Sequence, residues 1–220
     1  RRSSDLGLLK KDQNGAKLLL EAVKTGNTEI AHFLITQCDV NPNEQDAEGR
    51  TPLTHAVMQG KQGAMMANLL IEEGADVNLP DKNGTTPLIA AISNNEGSYD
   101  CVKLLLDNGA KINERGQGRR TAVFRAIRHA KNCPEGAEAL KIFRELLLRN
   151  ANITLIDEQD KTVLHIIAMW DNHTEALEIL RPYKANLNIN AFDDHGKTAL
   201  QYAAERGDFD AVEMLVDGFG

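Results

Sequence analysis

The sequence repeats itself with a period of about 35 residues, and this feature constrains the fold more than any other. The clearest copies of one phrase begin with a threonine at positions 51, 86, 121, 162 and 198, and a degraded copy begins at Lys17. A second phrase, Gly-Ala-Asp-Val-Asn at 74–78, recurs in altered form between these anchor positions. One unit of this size cannot bury its apolar face alone, so neighbouring units are expected to stack into a continuous core.

Each unit is predicted to contain two helices and a hairpin-like finger. Thr51 followed by Pro52 is typical of a helix start, because the hydroxyl caps a backbone N–H and the ring presets the first dihedral. A second helix is predicted from Ala64 to Glu73, with Gly74 as its left-handed cap. The segment Asp81-Lys82-Asn83-Gly84 predicts a turn back into the next Thr-Pro.

The phrases Thr-Pro-Leu-Thr-His-Ala at 51–56 and Gly-Ala-Asp-Val-Asn at 74–78 resemble the ankyrin repeat. The resemblance implies an all-α repeat solenoid, a stack of six helix-loop-helix units with hairpin fingers, of which the last is truncated. The expected repeat domain covers 12–220 and follows an N-terminal tail or linker at 1–11. Its units are expected at about 12–46, 47–81, 82–116, 117–157, 158–193 and 194–220.

Several positions depart from this pattern. Arg119 and Asp160 stand where other units have a glycine two residues before the anchor, so those two fingers are expected to be shaped differently. The inter-helix loops at 59–63, 93–99 and 128–137 are long, as tolerated surface insertions or as functional loops. The last unit is expected to leave apolar side chains uncovered, at Val212, Leu215 and Val216. Either a following segment packs on them or the end of the domain has been trimmed.

Charge and composition narrow the classes of function. The net charge of −7 disfavours general nucleic-acid binding. Residues 114–149 nevertheless carry 9 basic and 4 acidic side chains, either as a solvated surface or as an anion-facing patch. No apolar run is long enough for membrane insertion. The three scattered cysteines and the absence of a signal peptide predict a reducing intracellular compartment, cytoplasmic or nuclear. The missing starting Met favours a piece of a larger protein.

No enzyme signature is present in the sequence. It lacks the phosphate loop, the HExxH zinc motif and the GxSxG nucleophile elbow. We therefore expect no catalytic residue, no metal site and no cofactor. His165 occupies the Thr-x-x-His position, which in the ankyrin family is a structural hydrogen-bonding residue.

The resemblance also implies where a partner would bind. In ankyrin repeats, ligands meet the finger tips and the first-helix positions four, seven and eight residues after the anchor, on a concave face. The residues selected on this basis are Trp170, Met169, Ile166, Arg125, Arg128, His129, Tyr202, Arg119, Arg120 and Met58. Trp170 is interpreted as an exposed anchor, with packing against the Tyr202 helix as the alternative. The arginines are either charge partners or a solvated face.

Three functions remain open at this point. The leading hypothesis is a non-enzymatic interaction module, monomeric as a fragment, that binds a peptide or protein surface with acidic groups and an apolar anchor. The alternative is a sensor that stacks a nucleotide on Trp170 and binds its phosphates, or another small anion, with Arg125 and Arg128. The third hypothesis is a structural spacer.

Overall fold

The structure, a computed structural model, describes residues 13–93, 99–132, 137–170 and 174–219. Within these ranges the chain forms twelve α-helices and no β-strand, which confirms the all-helical prediction. The helices are α1 Gln13–Lys24, α2 Thr28–Thr36, α3 Pro52–Val57, α4 Ala64–Glu72, α5 Pro87–Ser93, α6 Tyr99–Asp107, α7 Ala122–Asn132, α8 Ala137–Leu148, α9 Val163–Ala168, α10 Thr174–Leu180, α11 Ala199–Glu205 and α12 Phe209–Phe219. None of these helices has the length and apolar character needed to cross a membrane.

The threonine anchors start the first helix of a repeat, as the sequence predicts. Thr51 Oγ1 accepts a hydrogen bond from Thr54 N at 3.1 Å, and Thr198 Oγ1 accepts one from Gln201 N at 3.3 Å. Such caps satisfy backbone donors that have no partner inside the helix. Pro52 opens α3.

The chain divides into two compact units, Arg1–Lys111 and Ile112–Gly220. In the first, α1, α3 and α5 lie side by side, and α2, α4 and α6 form a second row. In the second, α7, α9 and α11 form one row, and α8, α10 and α12 form the other. Each unit has its own buried apolar core, which includes Leu53 and Leu70 in the first and Phe124 and Phe143 in the second.

The fingers are each closed by the same type of backbone hydrogen bond. Asp46 N donates to Arg50 O at 3.0 Å, and Asp157 N donates to Lys161 O at 3.1 Å. The expectation of a different finger at Asp160 is wrong, because this residue adopts the same left-handed conformation (φ 53°) as the glycines. An aspartate tolerates that conformation.

The finger before α7 keeps the closing bond but differs locally. Gly116 N donates to Arg120 O at 3.0 Å. Residues Gln117–Arg119 form a 3₁₀ turn in which Gly118 (φ 72°) and Arg119 (φ 56°) are both left-handed. Here the expected difference in shape is present.

Asparagine side chains join successive fingers. Asn43 Oδ1 accepts from Asp76 N at 2.7 Å, and Asn78 Oδ1 accepts from Lys111 N at 2.7 Å. In the second compact unit, Asn113 Oδ1 accepts from Asn152 N at 2.8 Å. We call these contacts the asparagine ladder.

The last helix is well formed. Helix α12 continues to Phe219, and both Leu215 and Phe219 are buried, whereas Val216 is half exposed. Of the three apolar side chains expected to be uncovered, only Val216 and the half-buried Val212 therefore remain accessible to solvent. The tail at 1–11 lies outside the described residues, as do positions 94–98 and 133–136 of the long loops.

Candidate functional site

A row of basic side chains runs along one side of the second compact unit. Helix α7 carries Arg125, Arg128 and Lys131 at intervals of three residues, which places them along one helix face. Arg206 lies at the C-cap of α11. We call these four residues the basic row.

Two members of the basic row meet at the end of α9. Lys131 Nζ donates to the carbonyl oxygen of Met169 at 2.9 Å, and Arg206 Nη1 donates to the same oxygen at 3.3 Å. The last carbonyls of a helix carry partial negative charge and attract cations. These contacts therefore hold the two cations against the end of α9.

A small pocket opens beside these contacts. It has a volume of about 100 Å³ and is lined by Arg128, Lys131, Ile166 and Met169. Basic groups from α7 form one side, and apolar side chains from α9 and the residue after it form the other. The pocket can therefore take a group that combines negative charge with aliphatic carbon.

The cations of the row influence one another. Burial lowers the pKa of Lys131, and the nearby Arg206 and Arg128 lower it further. Burial also lowers the pKa of Arg125, with added repulsion from Arg120 and Arg128. Among the described residues, no carboxylate lies within 4.0 Å of the guanidinium nitrogens of Arg125 or Arg128. Arg125, Arg128 and Lys131 thus repel one another along α7, and a bound anion would reduce this repulsion.

The structure corrects the expectation for Trp170, which was to be an exposed anchor. Its exposed fraction is only 5%, so this expectation is wrong and the alternative of a core position holds. The helical period does not apply to it, because α9 ends at Ala168 and Trp170 N donates to Ile167 O in a tight turn. Ile166, also expected to face outward, is buried but reaches the pocket.

Tyr202 is engaged inside the chain. Its hydroxyl donates to Asp193 Oδ2 at 2.6 Å, and Lys161 Nζ lies 3.0 Å from the same oxygen. Burial raises the pKa of Asp193, but the hydrogen bonds from Tyr202, Lys197 N and Lys161 outweigh it and hold that pKa well below its usual range. Tyr202 therefore stabilises a finger.

His165 has the structural role expected of it. Its Nε2 donates to Lys197 O at 3.0 Å, and its Nδ1 accepts from Thr162 N at 3.1 Å. Burial lowers the pKa of His165, which favours the neutral ring that this pair of bonds requires.

The remaining selected residues lie in varied surroundings. Arg120 is 3.5 Å from Glu158 and 3.9 Å from the buried Asp157. Arg119 is exposed and lies 3.8 Å from Asp160. His129 is half-buried, and burial lowers its pKa despite the nearby Glu138.

Met58 belongs to the other compact unit. It is the C-cap residue of α3 and 39% exposed.

Sequence reasoning selected neither Lys131 nor Arg206 as a site residue. Lys131 was missed because the selected positions ended eight residues after the anchor, whereas α7 continues to Asn132. The three-residue spacing of Arg125, Arg128 and Lys131 was the signal that could have identified it.

One group of metal-ligating side chains occurs among the described residues, at Asp193, Asp194 and His195. The carboxylate of Asp193 is already occupied by Tyr202, Lys161 and the backbone of its own finger. A metal ion would have to displace these partners, so the geometry does not favour one.

Comparisons with known proteins agree with this architecture. A family model described as ankyrin repeats (3 copies) matches residues 19–116, 61–144 and 129–219. The chain is 38% identical over 66 residues to the Notch-regulated ankyrin repeat-containing protein A of Danio rerio and 36% identical over 66 residues to its Xenopus laevis namesake. Each match covers 29% of this chain and only 57% or 56% of the relative.

Solved structures cover more of the chain. A chain in the complex of the Bd0816 predatory endopeptidase from Bdellovibrio bacteriovorus with immunity protein Bd3460 has 25% identity and a TM-score of 0.70, covering 91% of this chain and 97% of that one. The ankyrin repeat domain ABAYE2397 from Acinetobacter baumannii AYE has 24% identity and a TM-score of 0.76, with coverages of 91% and 96%. The family matches together span most of the sequence, and the chain therefore belongs to the ankyrin repeat family.

Proposed function

We propose that this chain is a non-enzymatic protein-interaction module that binds an acidic segment of a partner protein along the basic row. Ankyrin repeats are generally protein–protein interaction modules. The observation that carries the proposal is the line of Arg125, Arg128 and Lys131 along α7, in which, among the described residues, no carboxylate lies within 4.0 Å of the guanidinium nitrogens of Arg125 or Arg128. Opposite charge on a partner steers its association and fixes its orientation.

The pocket beside Met169 supplies the apolar part of the contact. Since Trp170 is buried, the anchoring side chain comes from the partner and not from this chain. An aliphatic side chain next to an acidic residue would place its carbon on Ile166 and Met169 and its charge near Arg128.

The alternative, a nucleotide sensor, has less support. Base recognition of the kind expected from the sequence requires an exposed aromatic ring for stacking. Trp170 does not offer one, because 95% of it is buried.

The setting that we propose is a longer intracellular protein. Cys38 and Cys101 are buried and are not joined in a disulfide, which suits a reducing compartment. The similar Bdellovibrio chain comes from a structure of a protein complex, in keeping with a binding role.

The test compares an acidic peptide with its basic counterpart. A fluorescent, end-blocked peptide of alternating glutamate and leucine should bind, and the version with lysine in place of glutamate should not. Arg128→Glu should weaken binding of the acidic peptide by about tenfold or more and reduce its salt dependence. Arg144→Glu is the matched control, since Arg144 is exposed on α8, in the other row of helices.

Several results would contradict the proposal, and two of them concern the peptides and variants directly. One is equal binding of the two peptides, and the other is an equal loss of affinity in Arg128→Glu and Arg144→Glu. Absence of any binding would favour a spacer, and tighter binding of a nucleoside triphosphate than of the peptide would favour the sensor.

A further inference from the structure

The ankyrin fingers contain a recurring pair of side chains. His55 Nε2 lies 2.7 Å from Asp46 Oδ2, and the Tyr202 hydroxyl donates to Asp193 Oδ2 at 2.6 Å. In both cases the aspartate lies five residues before the anchor threonine, and its partner lies four residues after it. In these two repeats the pair ties the finger to the first helix of its own repeat.

In the repeat that contains α7, the finger aspartate is missing. Gly116 stands in its place, and Arg125 stands at the position that His55 and Tyr202 occupy in those two repeats. The closing bond of the finger is kept there, since Gly116 N donates to Arg120 O at 3.0 Å, as Asp46 N does to Arg50 O. Gly116 has φ −87° and ψ −160°, an extended conformation without the positive φ that favours glycine. The repeat therefore lacks the carboxylate but keeps the hydrogen bond that closes the finger.

Donor groups remain without partners around this position. Within the described part of the chain, the buried Arg125 Nε, Arg120 Nε and Thr121 Oγ1 have no hydrogen-bond partner. Buried polar groups in folded proteins are nearly always paired, so each exception needs a physical explanation. Arg120 Nε lies 3.9 Å from Asp157 Oδ2, but among the described residues Arg125 Nε has no such carboxylate beside it, which indicates a missing acceptor there.

The nearest acidic residues do not supply this acceptor. Asp157 is fully buried, and its Oδ1 accepts from Gln159 N and Lys161 N. Its Oδ2 has no hydrogen-bond partner and lies 3.9 Å from Arg120 Nε. Ile166, at the position of His55 and Tyr202, offers it no donor. Neither Asp157 nor Glu158 lies within ion-pair distance of Arg125.

We propose that Arg125 is the receiving point for a single aspartate or glutamate of the partner, whose carboxylate takes the place of the finger carboxylate absent at Gly116. The identity of the partner as an acidic segment rests on the proposed function, and the position of this contact is the new element. A planar guanidinium can bind a carboxylate through two parallel hydrogen bonds. Arg128, one helical turn further along α7, would then meet the next acidic group of the same segment.

The experiment places the missing carboxylate in the chain itself. Gly116→Asp should pair with Arg125, raise the urea midpoint of unfolding and weaken binding of the acidic peptide about tenfold. Gly116→Asn, of nearly the same shape but neutral, is the matched control and should keep the affinity within about threefold. In the Gly116→Asp background, Arg125→Gln should cause no further loss of peptide affinity.

A second readout follows Arg125 directly and does not need a protein partner. The ¹H–¹⁵N signal of Arg125 Nε should shift during titration with acetate in the wild type and in Gly116→Asn. It should be insensitive to acetate in Gly116→Asp, where the internal carboxylate already occupies the position. If a variant binds the peptide poorly only because it folds poorly, the acetate titration of the wild type still tests whether Arg125 receives a carboxylate.

The outcomes separate the two proposals. If Gly116→Asp binds peptide as tightly as the wild type while Arg128→Glu binds weakly, the receiving point is wrong and the proposed function stands. If the acidic peptide does not bind the wild type at all, the proposed function is wrong. In that case an acetate-dependent shift of Arg125 Nε supports the carboxylate position, and its absence overturns it.

Discussion

The position of Trp170 sets the role of this side chain in stability. Because it is 5% exposed, Trp170→Ala should lower the free energy of unfolding by about 3–5 kcal/mol. Urea denaturation measures this loss. Met65→Ala is the control, since Met65 is 75% exposed, and it should change stability by less than about 0.5 kcal/mol. An unfolding curve of Trp170→Ala that coincides with the wild type would show that the ring is not part of the core.

The start and end points of helices α7 and α9 show which features of the fold the sequence could predict. The repeat phrases correctly placed the caps at Thr51 and Thr198, because capping is local chemistry. They could not predict that α9 ends at Ala168 while α7 continues to Asn132, since the tertiary packing around each helix decides where it stops. Of the basic row, the sequence therefore selected Arg125 and Arg128 but not Lys131 or Arg206, and its interpretation of Trp170 as exposed was wrong.

The finger at Asp193 makes the stability of the folded chain depend on pH in the acidic range. Its native pKa lies well below the usual range, so the unfolded chain binds more protons as the pH falls below about 4. The stabilisation from Asp193 is thus fully present above that pH and is lost as the pH falls toward the native pKa.

Removing one hydroxyl tests this dependence. Tyr202→Phe should reduce the free energy of unfolding by about 1.5–3 kcal/mol at pH 7, because it removes a hydrogen bond to a charged group. The difference from the wild type should narrow between pH 4 and pH 2, as measured by urea denaturation at each pH. Tyr183→Phe, in the 3₁₀ segment Arg181–Asn186, serves as the control. A difference that stays constant over this range would contradict the account.

Across the whole chain, local stability should follow burial. Six of the seven residues of α5 are buried, compared with two of the seven in α11. Repeat proteins derive their stability from contacts between neighbouring repeats, so the amides of 89–93 should exchange at least about tenfold more slowly than those of 202–205. Hydrogen exchange followed by NMR measures both sets. Equal protection in α5 and α11 would show that burial does not determine local opening here.

The asparagine ladder joins successive fingers by the same hydrogen bond whether the repeat between them is short or long. The residues that it joins are 33 positions apart at Asn43 and at Asn78, but 39 apart at Asn113. The six additional residues change neither the type of bond nor, by more than 0.1 Å, its length. Evolution can therefore lengthen an inter-helix loop, and a protein engineer can graft a new sequence there, while the fingers keep the periodicity of the scaffold.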